Sequence, residues 1–414
     1  MAIFSHTVDR PAHVPESAVY DFDYFRDEAL LREPHKRALE LAETAPRLFW
    51  TPHNGGHWMA AGYDIAFQVM REYESFSSQL LPAEYAAAMG EGLLPDGRRA
   101  PRMTPIMMDP PEHTRMRAPL QKTFSPKTVM ALKADIEVLA EELVSAVVPL
   151  GGCDFIPTVI EQLPVRIFLR MMGLPEDRIE EYRLLVREVF APRGEGHSDP
   201  LMRMRNIADV MLDEIRDRRD NPRDDIISML WQLEIEGEAM SLDLMEDYCC
   251  LLFLAGLDTV INAMGHGMRH LAMNPQLQDE LREKPDLIVE ATEEMLRRYS
   301  VSAPIRRALH DTELGGQHIR KDDLIVMFLS IVDLDPAEFP SPGTFDLARE
   351  NKNHLIFGAG PHRCLGSHLA RVELQTFYRV VLETLPRFRP DPDKRPIFHA
   401  GNMIAISSLP IRWD

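Results

Sequence analysis

At 414 residues, 45% hydrophobic and 27% charged, the chain is long enough to bury a large core and has the composition of an ordinary folded protein. Its 65 acidic against 46 basic residues give a formal net charge of −19, and no basic run carries interleaved aromatics, so a nucleic-acid binder is excluded as an expectation. The four cysteines (Cys153, Cys249, Cys250, Cys364) contain no C-x-x-C pair, and the adjacent Cys249 and Cys250 are poorly placed to bridge, which points to a reducing, cytoplasmic setting.

In chain order, the segment from Met1 to Asp27 carries Pro11 and Pro15 and lacks the apolar core of a secretory signal. Short strands are expected at Leu48–Trp50 and Trp58–Ala61. The proline-dense stretch from Pro95 to Pro119 should be loop-rich. Ser125-Pro126 reads as an N-cap with proline in the first turn, opening a helix over Ser125–Val148. Helical periodicity continues at Met202–Arg219, Leu242–Met273 and Pro285–Tyr299. Strands follow at Arg306–Ala308 and Ile325–Leu329, then a second proline-dense loop from Pro336 to Pro342. A last helix, Leu369–Leu385, should start just after Cys364, and a last strand is read at Met403–Ser407. The most apolar run, Leu251–Ala255, is too short to cross a bilayer, so no membrane is expected. One domain over 1–414, mainly α with small β-rich regions near 45–62, 305–330 and 397–412, is the simplest organisation.

Four segments carry chemistry. In Phe357-Gly358-Ala359-Gly360-Pro361-His362-Arg363-Cys364-Leu365-Gly366, the glycines before the cysteine permit a tight turn, and Gly366 permits close approach of a flat ligand. The following helix presents its positive end to the sulfur and favours a thiolate, fit to be a nucleophile or a metal ligand. A lone cysteine in a turn is more often structural. Zinc is disfavoured, because no second cysteine or histidine pair stands at ligand spacing. In Glu294-Met295-Leu296-Arg297 the i, i+3 spacing puts a carboxylate and a guanidinium on one helix face, in general a solvated pair. In Ala255-Gly256-Leu257-Asp258-Thr259 the small residues leave room beside the long helix, and Thr259 can bond back to the carbonyl of residue 255. Asp258 and Thr259 could equally be weak helix formers on a polar face. In Asp109-Pro110-Pro111-Glu112-His113-Thr114-Arg115-Met116-Arg117 the prolines start a helix on which His113 and Arg117 share a face.

The cysteine segment resembles, in full, the haem-binding loop F-x-x-G-x-x-x-C-x-G of the cytochromes P450, a haem-thiolate class. The other three segments resemble that family's E-x-x-R, oxygen-groove and propionate motifs, in the family's order, across roughly residues 45–414. The resemblance implies a triangular, mostly helical prism with haem b between the long central helix and the cysteine loop. It implies Cys364 as the iron ligand, with Phe357, Gly358, Gly366, Ala255 and Gly256 around the haem. His113, Arg117, Arg306 and His362 would hold the propionates, Glu294 and Arg297 would form a buried structural network, and Asp258 and Thr259 would deliver protons to bound O2. Arg183 is placed by position as a partner of Asp258. The chain is also similar to the bacterial camphor-hydroxylase subfamily in Leu257-Asp258-Thr259-Val260, Met108-Asp109-Pro110-Pro111-Glu112, Arg166-Ile167-Phe168 and Leu409-Pro410-Ile411-Arg412-Trp413-Asp414.

The pocket departs from that subfamily. Pro101 stands where the camphor enzyme has its ketone-binding tyrosine, and Pro304 where it has an aspartate; the correspondence through 81–102 is complicated by extra residues. The expected lining is Pro101, Met103, Ile106, Leu251, Leu254, Ala255, Ser302, Asn402 and Met403, whose two methionines could instead be plain core. An adaptable apolar site of this kind suits a small terpenoid or norisoprenoid such as an ionone, with Asn402 donating to a ketone. With no fused flavin or iron–sulfur module in the sequence, electrons are expected from a [2Fe–2S] ferredoxin and its flavin reductase. Arg115, Lys122 and Arg363 would offer it positive charge, and the enzyme itself would be a monomer. Camphor hydroxylation, peroxygenase or isomerase chemistry, and a haem-binding sensor or carrier are the alternatives. The retained Asp258–Thr259 pair speaks against the peroxygenase, and the lack of a signalling module against the sensor.

Overall fold

The computed structural model describes residues 7–82, 94, 96–190 and 200–414, with the side chains of 186–190 and 200 outside that set. Much of the uncertain segment 81–102 therefore lies outside the described residues. The helices that matter here are α1 (Pro34–Thr44), α2 (Glu112–Gln121), α3 (Gln162–Met172), α4 (Leu242–Met273), α5 (Leu287–Arg298) and α6 (Ser367–Thr384). The chain forms two compact units interleaved in sequence: one comprises 1–80, 133–161 and 259–414, the other 81–132 and 162–258.

The first unit holds a five-stranded sheet built from β1 (Leu48–Thr51), β2 (His57–Ala60), β3 (Phe76–Ser77), β4 (Ile305–Ala308) and β5 (Leu324–Met327), in the order β1-β2-β5-β4-β3. Pairing is antiparallel except between β2 and β5, where Ile325 stands beside Trp58. Side chains alternate across a strand, and here each face enters its own core. Trp50, Trp58, Ala60 and Ile325 join one apolar cluster, while Phe49, Met59 and Val326 join the other. The hairpin of β6 (Ile397–His399) and β7 (Ala405–Ser408) also belongs to this unit.

Among the described residues, the regular elements of the second unit are helices and the two-residue strands Glu234–Ile235 and Glu238–Ala239. α4 starts there and passes into the first unit at Thr259. By length and composition α4 could cross a membrane, but 61% of its most apolar window is buried within the protein, as in a core helix.

Most expected elements stand within a few residues of their positions. The helix read over Ser125–Val148 is two helices, Pro126–Ala131 and Lys133–Val147. The break falls where the Leu132 amide bonds the carbonyl three residues back, at Val129, tightening the turn. Among its described residues, the proline-dense segment is irregular only as far as Pro111; α2 then runs through Pro119, which sits in its last turn.

Candidate functional site

Cys364 closes a loop drawn tight by its own backbone. Its N–H donates to the Phe357 carbonyl at 2.7 Å, and Gly358 N–H donates to Leu355 at 2.7 Å. Gly358 and Gly360 adopt φ of +68° and +67°, a region that favours glycine. At Gly360 space is also short, since a Cβ would stand 2.6 Å from the Met70 carbonyl oxygen. A 3-10 turn over Gly360–His362 leads into the cysteine, and α6 begins three residues after it. Cys364 is exposed, whereas Cys249 and Cys250 are buried with their thiols pushed up by burial, and none of the four is bridged. An exposed sulfur before a helix N-terminus is the one suited to be a thiolate. A Cβ at Gly366 would meet nothing within 4 Å, so the loop has an open side for a flat group. A soft sulfur donor in an open, glycine-lined loop fits thiolate-ligated haem.

His362 and Arg306 are organised by the same sheet edge. Ser78, just after β3, hydrogen-bonds His362 Nε2 at 2.9 Å, and β3 pairs with β4, which carries Arg306. The Phe357 ring lies 4.4 Å beneath the Arg371 guanidinium of α6, and Arg371 donates to Glu293 of α5 at 2.6 and 2.9 Å. Burial would raise the Glu293 pKa, but hydrogen bonds from His354 and Arg371 pull it down to about 2. This clamp was not anticipated from sequence, although Glu293 adjoins the E-x-x-R segment.

The E-x-x-R pair itself is buried rather than solvated. Arg297 donates to both oxygens of Glu294 at 2.8 Å, and both side chains are 0% exposed. Arg349, absent from the sequence reading, adds a second guanidinium at 3.1 Å, and the Asp346 amide a further donor at 3.1 Å. The arginines also reach the carbonyls of Asp333, Pro342 and Pro340, which ties the proline-dense 336–342 loop to α5.

In the second unit, His113 is buried and Arg117 half-buried one turn further along α2. The Tyr248 hydroxyl fastens α2 to α4 by donating to the Met116 carbonyl at 2.5 Å. The segment expected to line the pocket is held by a carboxylate that sequence reasoning missed. Asp247 accepts from the Arg102 amide and the Arg99 guanidinium, both at 2.7 Å, and burial raises its pKa despite those donors. Pro101, Leu251 and Leu254 are buried, Met103 is half-buried and Ile106 exposed. Within the mostly buried stretch of α4, Ala255 alone among residues 249–257 is exposed. The neighbouring glycine has a different reason: a Cβ at Gly256 would stand 2.7 Å from the Phe168 ring of α3, so the space it leaves is taken by packing. Asp258 and Thr259 are half-buried, and α4 is helical through both. Arg183 donates to Glu180 at 2.6 Å, and Arg115 pairs with Glu236.

Back in the first unit, Ser302 and Met403 form a β-bridge, and the Ala303 amide donates to the Asn402 carbonyl at 2.9 Å. Three of the expected pocket residues are thus adjacent. The Asn402 side-chain oxygen accepts from the Tyr24 hydroxyl at 3.3 Å.

Comparison with known proteins agrees with this geometry. The pattern of the cytochrome P450 family matches residues 183–413. The chain is 32% identical over 413 residues to the probable cytochrome P450 127A1 of Sinorhizobium fredii, covering 97% of this chain and 96% of that one. It is 30% identical over 374 residues to a steroid C26-monooxygenase of Rhodococcus jostii, covering 86% and 77%. The crystal structure of CYP101J2 superimposes with a TM-score of 0.86 at 32% identity, over 98% of this chain and all of that one.

Proposed function

Because the chain belongs to the cytochrome P450 family, and is therefore a monooxygenase that uses haem b and O2, we propose that Cys364 ligates the iron and that the substrate is a small apolar terpenoid or norisoprenoid. The observation that carries the reading is the exposed Cys364 sulfur, held in a glycine loop at the start of α6. Bound there, the haem supplies activation of O2, with electron donation from the thiolate.

The chain's own residues do the rest. His113, Arg117, Arg306 and His362 are cationic or N–H donors matched to the paired carboxylates of the haem. Ala255, the exposed small residue of α4, leaves space for oxygen, and Asp258 and Thr259 hold and pass its protons. Pro101, Met103, Leu251, Leu254 and Met403 offer apolar surface, with Ser302 and Asn402 as the polar groups that orient a substrate ketone. Pro101 has no hydroxyl to give such a ketone, which argues for a ligand other than camphor. The retained Asp258–Thr259 pair supports O2-dependent hydroxylation over peroxygenase chemistry.

Electrons come from a separate donor, a [2Fe–2S] ferredoxin with its flavin reductase. It docks near Arg363 and Lys122, which are exposed; Arg115 already has an anionic partner in Glu236. Four unbridged cysteines suit a cytoplasmic enzyme.

The carbon monoxide difference spectrum of the reduced protein tests the ligand. A red-shifted thiolate band lost in Cys364→Ser supports it, and a Soret maximum like that of histidine-ligated haem overturns it. Titration with a terpenoid panel tests the pocket: a norisoprenoid ketone should give a larger high-spin shift than camphor, and the reverse ranking overturns the assignment. Thr259→Ala should keep that shift yet divert reducing equivalents to peroxide; unchanged coupling overturns the proton role.

A further inference from the structure

Asn262 and His266 stand one turn apart on α4 and are 2% and 1% exposed. Both reach the β6–β7 hairpin, in the segment that carries Asn402 and Met403. The Asn262 carboxamide oxygen accepts the Ile406 amide at 2.9 Å, and its Nδ2 lies 3.0 Å from the Met403 sulfur. His266 Nε2 lies 3.2 Å from the Ile404 carbonyl. A carbonyl only accepts, so Nε2 carries the proton and Nδ1 is the bare nitrogen. His35 of α1, whose Nε2 is 2.8 Å from that Nδ1, is therefore the donor. The outcome is a one-way chain of hydrogen bonds from α1 through α4 to the loop backbone.

Packing reinforces the chain. Gly265, between the two side chains, lets Ile406 approach so closely that a Cβ there would be 2.6 Å from it. The His266 ring lies parallel to Phe398 at 6.0 Å, and the Arg269 guanidinium stands 5.2 Å from the same ring. Burial and the nearby Arg269 keep His266 neutral, with its pKa lowered to about 3, so the donor–acceptor order persists across the working pH range. On its other side the loop is held by backbone, Ile404 N–H to Val301 at 2.7 Å and Ala303 N–H to Asn402 at 2.9 Å.

We propose that Asn262 and His266, backed by His35, are positioning residues that set where Met403 and Asn402 stand and thereby which apolar substrates are accepted and which carbon is oxidised. The inference rests on the reading of Met403 and Asn402 as pocket residues. Asn262 grips the thioether directly, while His266 fixes the carbonyl one residue later. A side chain that orients substrate loses selectivity when displaced by about 1 Å.

The test uses the haem-loaded enzyme and an ionone as the probe, with product ratios and amide hydrogen exchange of residues 399–406 as readouts. His266→Phe keeps the aromatic contact with Phe398 but has neither donor nor acceptor; it should speed exchange in that segment about tenfold and shift the product ratio about threefold or more. His266→Gln, which can donate to Ile404 and accept from His35, should restore both. Asn262→Asp keeps the acceptor for Ile406 but not the donor toward Met403, so the ratio should move while exchange stays near its original rate. Met403→Leu separates the two readings. If it shifts the ratio and the Asn262 and His266 variants do not, the clamp is refuted and the pocket stands. If Met403→Leu and Asn402→Ala both leave binding and products unchanged, the pocket assignment itself falls. Uniformly weaker binding with unchanged ratios in His266→Phe would also refute the clamp, because it would mark His266 as merely structural.

Discussion

Replacing Glu294 by glutamine removes the charge that balances two buried guanidiniums while keeping shape. In the folded enzyme its two oxygens receive Arg297 twice at 2.8 Å, Arg349 at 3.1 Å and the Asp346 amide at 3.1 Å. Glutamine retains one acceptor oxygen and turns an NH2 toward donors, so Arg297 keeps at most one of its two contacts at this position beside the Asp333 and Pro342 carbonyls. Breaking a buried ion network from one side costs about 3–5 kcal/mol. Arg349→Met should cost less, about 1–3 kcal/mol, because the Glu294–Arg297 pair survives and the main loss is donors to the Pro340 and Thr344 carbonyls. The assay is urea unfolding of the haem-loaded enzyme followed by far-ultraviolet circular dichroism. Burial pushes the Glu294 pKa up, but the hydrogen bonds and charge of Arg297, with Asp346 and Arg349, bring it below the ordinary value. A depressed carboxyl stabilises fully above its unfolded pKa of about 4.3 and loses that contribution as pH falls through the folded value. The deficit of Glu294→Gln should therefore be largest near neutrality and shrink in acid. A loss under about 1 kcal/mol, the range of an exposed pair, or Arg349→Met proving as costly as Glu294→Gln, would refute the reasoning.

Glu373 on α6 is fully buried and burial raises its pKa to about 8. A carboxyl raised in this way costs stability as pH climbs from its unfolded pKa, about 4.3, to the folded value, so Glu373→Gln should flatten the pH dependence of unfolding between those limits; an unchanged profile would show the carboxyl is already paired. Gly360→Ala combines a left-handed φ with a Cβ 2.6 Å from the Met70 carbonyl, and should destabilise by about 1–3 kcal/mol and lower haem retention on gel filtration, whereas full retention at unchanged stability would contradict the strained-loop argument. Asp247→Asn keeps an acceptor for the Arg102 amide but weakens the Arg99 contact; substrate Kd from the spin-state titration should rise about fivefold, near 1 kcal/mol, with the carbon monoxide band unmoved, and a Kd equal to the parent's would detach this carboxylate from the pocket.

Local signals and long-range ones were legible to different degrees. The 32-residue α4 was read with its observed ends, because a long apolar period bounded by polar residues is a property of the segment itself. The cysteine loop was equally readable, since its glycines answer to φ values that the backbone must adopt at those positions. Arg349, Asp247 and Arg371 were not: each works through a partner 55 or more residues away, and nothing in their own neighbourhood distinguishes them from surface charge. The same limit explains Gly256, whose place in a motif suggested room for a ligand when its near neighbour is Phe168, 88 positions earlier. The motifs marked segments that the structure shows to be tightly held, and the partners that hold them had to come from the fold. That division bears on selectivity. Asn262 and His266 lie in α4 within a turn or two of Thr259, yet what they touch is the loop at 403–406, over 130 residues on. If Met403 and Asn402 line the pocket, its selectivity is therefore to be sought among such distant fasteners as well as among the side chains proposed to face the substrate.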